Sequence, residues 1–232
     1  MKTASRKRSA FTLIELLIVI AIIGILATLM FPAIANVMDR ANGVKLGNNG
    51  KNVVQGILSA NIEREAMSKG SVWPTSTGGW QKSNDYFHRL LGGGNKPVIL
   101  DGISPSIFAG AGVPAASDVE GLKTGGNVWS ITTDIESADD ATPFMWTRNF
   151  EPADTDFQTE ADASVSLQDK LSDSIKPFGT KQVVLVRKGG SMETIRAKYL
   201  DTLTFLAGTT NGAVKVLSAV TEDKSSDSSD QF

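Results

Sequence analysis

Cysteine is absent from the 232 residues, and histidine occurs once, as His88. Without cysteine there is no disulfide framework, no thiolate nucleophile and no cysteine-ligated metal. A lone imidazole excludes the usual zinc sites within one chain. A serine triad would have to be built around His88, and no Gly-x-Ser-x-Gly elbow is present to support it. The triplet Gly92-Gly93-Gly94 is not followed by Lys-Ser or Lys-Thr, so it reads as a flexible loop and not as a phosphate cradle. A large charge of either sign is also lacking. The formal net charge is −2 with 21 % charged residues, which gives no footing for a nucleic-acid partner.

What is present is unevenly distributed. The length suits one globular domain with a sizeable core plus an appendage. Lys2, Arg6, Lys7 and Arg8 fall in the first ten residues, which contain no acid, and setting them aside leaves −6 on the remainder. A basic stretch directly before an apolar one is retained on the cytoplasmic side during insertion, which sends the following chain across the membrane. With no disulfides, an exported body must be held by packing, helped by a bound ion or by neighbouring subunits.

From Phe11 to Phe31 the chain reads FTLIELLIVIAIIGILATLMF. About 20 apolar residues rising ~1.5 Å each match a ~30 Å hydrocarbon layer. The apolar side chains occupy every face of such a helix, which suits lipid or a helix bundle better than one side of a soluble core. Ala33-Ile34-Ala35 offers a small-x-small pattern, so cleavage after Ala35 as an ordinary signal peptide is the competing reading. The run is longer than the ~7–15 residues of a signal-peptide core and contains an acid. That acid, Glu15, costs ~2.5–3.5 kcal/mol at a helix centre in a membrane unless it has a partner. A cut between Ala10 and Phe11 would place the new α-amine one helical turn from Glu15. The carboxylate could then meet its own helix N-terminus and amine, or the amine of an adjacent subunit.

Arg6-Lys7-Arg8-Ser9-Ala10 followed by Phe11-Thr12-Leu13-Ile14-Glu15-Leu16-Leu17 resembles the type III signal of prepilins and pseudopilins. The resemblance implies cleavage by prepilin peptidase after Ala10 on the cytoplasmic side and N-methylation of Phe11. Glu15 would be the acidic residue at the fifth mature position that registers subunits during assembly. Pro32 falls at the twenty-second mature position, where the family carries a proline that marks a bend. A purely structural kink accounts for Pro32 equally well, because proline removes a helical hydrogen bond and clashes with the preceding turn. The sequence departs from the family in having Ala10 where glycine usually precedes the cut. It also lacks the cysteine pair that closes many pilins, which favours a pseudopilin.

Beyond Pro32, Val37, Ala41, Val44, Val53, Val54, Ile57, Leu58 and Ile62 recur at helical spacing, so the helix is expected to continue to about Met67. Gly43, Gly47, Gly50 and Gly56 each cost roughly 1 kcal/mol against alanine, so packing against the body must hold this half. Residues 70–126, rich in glycine, serine and proline, predict loops with short elements. Gln182–Arg187 and Met192–Leu200 flank Lys188-Gly189-Gly190 as a strand, turn and strand, and 213–220 is a third strand candidate. The aromatics of Pro143–Phe150 read as core. The expected fold is α+β: a long N-terminal helix, transmembrane in its first half, packed on a C-terminal antiparallel β-sheet domain with long loops. The boundaries are a basic leader at 1–10, a transmembrane and filament-core helix at 11–32, its continuation at 33–67, a globular domain at 68–220 and a disordered acidic tail at 221–232.

Asp134, Glu136, Asp139 and Asp140, and again Asp154, Asp156, Glu160 and Asp162, could bring oxygen ligands to calcium, although neither cluster follows an EF-hand. Solvated acidic loops are the plainer account, and no cofactor is expected. The functional expectation is a structural subunit of a type II secretion pseudopilus or type IV pilus-like filament, and not an enzyme. It would sit in the inner membrane as a single-pass protein with its C-terminal domain in the periplasm. Its expected partners are prepilin peptidase, other pilin or pseudopilin subunits, the inner-membrane assembly platform and the membrane itself. A membrane-tethered minor pilin-like binding module, or a secreted enzyme with an ordinary signal peptide, are the alternatives.

Overall fold

A computed structural model describes residues 13–153, 164–207 and 215–217. The chain divides into two compact units whose boundary falls between Ala41 and Asn42, within the first helix. That helix, α1, runs Leu13–Ala66. The globular unit adds α2 (Ser83–Leu90), β1 (Trp129–Thr133), β2 (Pro143–Thr147), β3 (Gln182–Arg187), β4 (Met192–Arg196), α3 (Thr202–Phe205) and β5 (Lys215–Leu217). The five strands form one antiparallel sheet in the order β4-β3-β2-β1-β5. This is the expected α+β plan, with the hairpin across Lys188-Gly189-Gly190 in place.

Two strands were missed in the sequence. The aromatic stretch at Pro143–Phe150 supplies β2 as well as core, and Trp129–Thr133 supplies β1. Both are buried along their whole length, so the apolar and polar alternation that marks a half-exposed strand is weak. The strand expected to reach Leu200 stops at Arg196, where a 3-10 turn at Ala197–Tyr199 takes over. Within 70–126, where loops with short elements were expected, α2 is one such element. The Asp85 carboxylate accepts the backbone N–H groups of Gln81 and Lys82 at its start (3.1 and 3.0 Å), satisfying donors that precede the first turn. The glycine triplet after α2 forms a hydrogen-bonded turn, with Gly93 N–H donating to the His88 carbonyl at 2.9 Å and Lys96 N–H to that of Gly92 at 3.2 Å. Positive φ at Gly92 and Gly94 suits residues without a Cβ.

Each face of the sheet carries its own core. Val184 and Val186 of β3 join Trp129, Ile131 and Phe144 on the side that receives α1 and α2, together with Phe87 and Phe108. Val183 and Leu185 project to the other side, where Trp146, Phe150 and Phe205 meet edge to face with centroids 5.2–6.5 Å apart. Burying an aliphatic or phenyl side chain of this kind is worth about 1.5–3 kcal/mol, so the two clusters carry the stability of a body that has no disulfide. Arg187, largely buried at the end of β3, donates to the carbonyls of Ala141, Thr204, Phe205 and Ala207 and to Glu193. Asp201 caps α3 by accepting the Thr204 N–H at 2.7 Å, and that bond holds its carboxyl below the usual range.

The second part of α1 lies on the sheet through its glycines. Gly43, Leu46, Gly47, Gly50, Val53, Val54, Ile57 and Ala60 are buried or nearly so at helical spacing. Val37, Val44 and Ile62, expected on the packing stripe, are exposed instead. The reason is distance. A Cβ at Gly50 would stand 2.7 Å from Val186 Cγ2 and 3.0 Å from the Trp129 ring, and one at Gly47 would stand 2.7 Å from Met192 Sδ. At Gly50 the helix backbone sits too close to β1 and β3 for a side chain, and at Gly47 the flexible Met192 of β4 fills the space, which accounts for glycines that are unfavourable on propensity alone.

The two glycines are expected to respond differently to alanine. At Gly50 the neighbours are a β-branched valine and an indole, so overpacking of roughly 1–3 kcal/mol outweighs the ~1 kcal/mol gained in helix propensity. Gly50→Ala should therefore lose about 1 kcal/mol or more in denaturant unfolding followed by tryptophan fluorescence. Gly47→Ala meets only the flexible end of Met192 and should stay within about 0.5 kcal/mol of the parent.

Candidate functional site

The first part of α1 has the chemistry that the globular unit lacks. From Leu13 to Phe31 the large apolar side chains are exposed on every side of the helix, from 46 % at Val19 to 89 % at Leu13. At ~1.5 Å per residue this segment is close to the ~30 Å hydrocarbon thickness. An 18-residue window within α1 has a mean hydropathy of 2.8, enough to cross a membrane by length and composition. The side chains are exposed in the sense that nothing among the described residues covers them, and lipid or other helices are surroundings that would satisfy them.

Polar interruptions in the segment are few and locally accommodated. Thr28 Oγ1 donates to the Ile25 carbonyl at 2.8 Å, so its hydroxyl needs no water. Glu15 stands exposed in the first turn of α1. There the N-terminal end of the helix dipole and the unsatisfied N–H groups favour a carboxylate. The helix runs through Pro32, which has no N–H to offer the carbonyl of Thr28. Ala10 and Phe11 lie outside the described residues. The segment therefore presents an apolar surface, an acid at one end and a weakened hydrogen-bond ladder towards the other.

The described residues of the globular unit hold no comparable chemical centre. Among the described residues no group of three or more histidine, aspartate or glutamate side chains could hold a metal ion. The acidic loop at 134–140 is organised by backbone and lysine contacts. Asp134 accepts the Ser76 N–H at 2.9 Å, and Lys188 Nζ donates to the carbonyls of Glu136 and Ala138 at 2.9 and 2.6 Å. The ammonium also lies 5.8 Å from the centre of the Trp73 ring. Asp154, Asp156, Glu160 and Asp162 lie outside the described residues. His88 is largely buried and sits with Nε2 3.0 Å from Glu120 Oε2, an ion-pair geometry with no nucleophile beside it. Lys188 was missed as an organiser, because nothing in the sequence separates a lysine at a hairpin turn from a solvated one.

By length and composition the apolar first part of α1 is able to cross a membrane, and the same helix continues into the part that packs on the α+β body. Residues 5–31 match the prokaryotic N-terminal methylation motif, the hallmark of type IV prepilin-like proteins and pseudopilins, so the start of the chain is similar to that of pilin-like proteins. Proteins of this motif family are structural and not enzymatic. They are processed by prepilin peptidase and assemble with other pilin subunits. No curated protein and no solved structure matches the chain.

A charge in the middle of the apolar surface should disrupt anchoring. Ile20→Lys adds about 2.5–3.5 kcal/mol to insertion on translocon scales. The variant is expected to move from the membrane pellet towards the soluble or degraded fraction on carbonate extraction, whereas Ile20→Leu should fractionate as the parent does.

Proposed function

We propose that the chain is a structural subunit of a type II secretion pseudopilus or a type IV pilus-like filament. The observation that carries this reading is the coincidence of the methylation motif with the uncovered apolar half of α1. In this account prepilin peptidase cuts between Ala10 and Phe11 on the cytoplasmic side of the inner membrane and Phe11 is N-methylated. The basic residues before the cut keep the N-terminus inside, and the globular domain faces the periplasm. Subunits wait in the bilayer with 11–32 spanning it, then transfer their apolar helices from lipid into a filament core on the inner-membrane assembly platform.

Glu15 gives assembly its register. A carboxylate in an apolar core is costly unless a positive group meets it, and the α-amine of Phe11 on a neighbouring subunit is such a group. A helix displaced by one turn would leave the pair unmade. The missing hydrogen bond at Pro32 lets the helix bend or open locally while neighbouring helices pack. The function is mechanical, and it calls for no cofactor.

Two measurements test this account. The N-terminal peptide of protein recovered from native membranes should begin at N-methyl-Phe11 by mass; a start at Asn36 in a soluble fraction would discard the filament reading. Glu15→Ala should remain membrane-inserted but fall at least about tenfold in its incorporation into sheared filaments, the loss expected for an ion pair worth at least ~1.4 kcal/mol. Normal incorporation beside a wild-type control would defeat the registration role.

A further inference from the structure

Basic side chains gather on the globular unit around a shallow groove of about 430 Å³ at the end of α2. Trp80, His88, Arg89, Lys96 and Lys123 line it together with Gln81 and one acid, Asp85. The acids nearby are already engaged. Asp85 holds the N–H groups that precede α2. Glu120 accepts the Gly94 N–H at 3.1 Å and faces His88 at 3.0 Å, contacts that hold its carboxyl below the usual range. Arg89 spends one N–H on the Pro97 carbonyl at 3.3 Å. The side chain of Lys96 makes no hydrogen bond or ion pair among the described residues, and Lys123 only attracts Glu120 from a distance. The groove is thus a positive, aromatic-edged surface on a chain whose residues after the tenth sum to −6.

The path of the chain says what can reach it. β5 is antiparallel to β1, with Lys215 opposite Thr133 and Leu217 opposite Ile131, so the backbone leaves β5 travelling towards Trp129. That end of β1 is tied to α2, because Ser83 Oγ donates to the Trp129 carbonyl at 2.6 Å. Asn84 Nδ2 donates to the Leu122 carbonyl at 2.7 Å, which draws the turn bearing Lys123 to the same helix. Glu222 follows Leu217 by five residues, a reach of up to about 17 Å at ~3.3 Å per residue. Residues 221–232 carry Glu222, Asp223, Asp227 and Asp230 against the single cation Lys224.

We propose that the acidic segment 221–232 docks within its own chain into the groove formed by Trp80, Arg89, Lys96 and Lys123. Charge complementarity selects the partner, and the exit direction of β5 selects the same chain over a neighbour. Exposed ion pairs are individually weak and are screened beyond ~8 Å at physiological salt. Several converging charges on a tether that gives an effective concentration of order millimolar compensate for that weakness.

The absence of native cysteine makes the test direct. Full-length protein in detergent micelles carrying Gln81→Cys and Ser226→Cys is compared with protein carrying Ser174→Cys and Ser226→Cys. Ser174 follows Leu171, which belongs to the core on the other face of the sheet. Under a mild oxidant, intramolecular disulfide formation is read by non-reducing gel and peptide mass. The first pair should close at least about tenfold faster, as expected for a docked over an undocked position on the same tether. The advantage should disappear in Arg89→Gln/Lys96→Gln/Lys123→Gln and shrink in the unaltered groove at high salt. Equal rates for the two pairs, or an advantage that survives both charge removal and salt, overturn the proposal. Disulfides formed only between chains overturn it as well, by assigning the groove to a second copy. The assay needs neither processing nor assembly, so its failure leaves the filament reading untouched.

Discussion

The contact of Gly50 with Val186 and Trp129 is the constraint on which the body is organised. At that point the helix backbone rests directly on the Val186 side chain of β3 and the Trp129 ring of β1. The approach sets the height of α1 over the sheet, and the buried residues before and after it follow from that height. Leu46, Val53, Val54 and Ile57 can then reach the core from the flanks of the same helical face. A larger residue at position 50 would lift the helix and unpack these four together, since close-packed interiors transmit small displacements.

One helix therefore carries two kinds of surface. Before Ala41 the side chains are large, apolar and uncovered, and suit a lipid or helix-rich environment. After it, small residues turn towards the sheet while Lys45, Asn48, Lys51 and Asn52 face outward. The change in composition marks the change of surroundings, with Asp39 and Arg40 as the first charged pair after the apolar run. Secondary structure does not break where the environment does, because a helix satisfies its backbone equally well in lipid and against a sheet.

The anchor was legible in the sequence because its signal is one-dimensional: basic residues, an apolar run of membrane length, Glu15 and Pro32 all lie within 27 residues of Arg6. The hairpin of β3 and β4 was legible for a similar reason, since its turn is local and glycine-marked. β1 and β2 were harder. Trp129–Thr133 mixes an indole with hydroxyls, and its burial depends on Ser83, Asn84 and Asn127 satisfying polar groups far away in sequence. Gly43, Gly47 and Gly50 were visible as a cost but not as a fit, because the partner surfaces lie some 80 to 150 residues further along the chain. Lys188 belongs with them: its carbonyl partners are 50 and 52 residues distant.

The glycine face also bears on how force passes through the molecule. Gly43 meets Gln182 of β3 and Thr194 of β4, Gly47 meets Met192 of β4, and Gly50 meets Val186 of β3 and Trp129 of β1. A load applied along α1 would fall on these contacts together, in shear, instead of peeling them apart in succession. The interlock resists sliding because each neighbouring side chain occupies a hollow in the helix surface that it would have to climb out of. A load carried into the sheet-packed part of α1 would therefore be borne by β1, β3 and β4 at once.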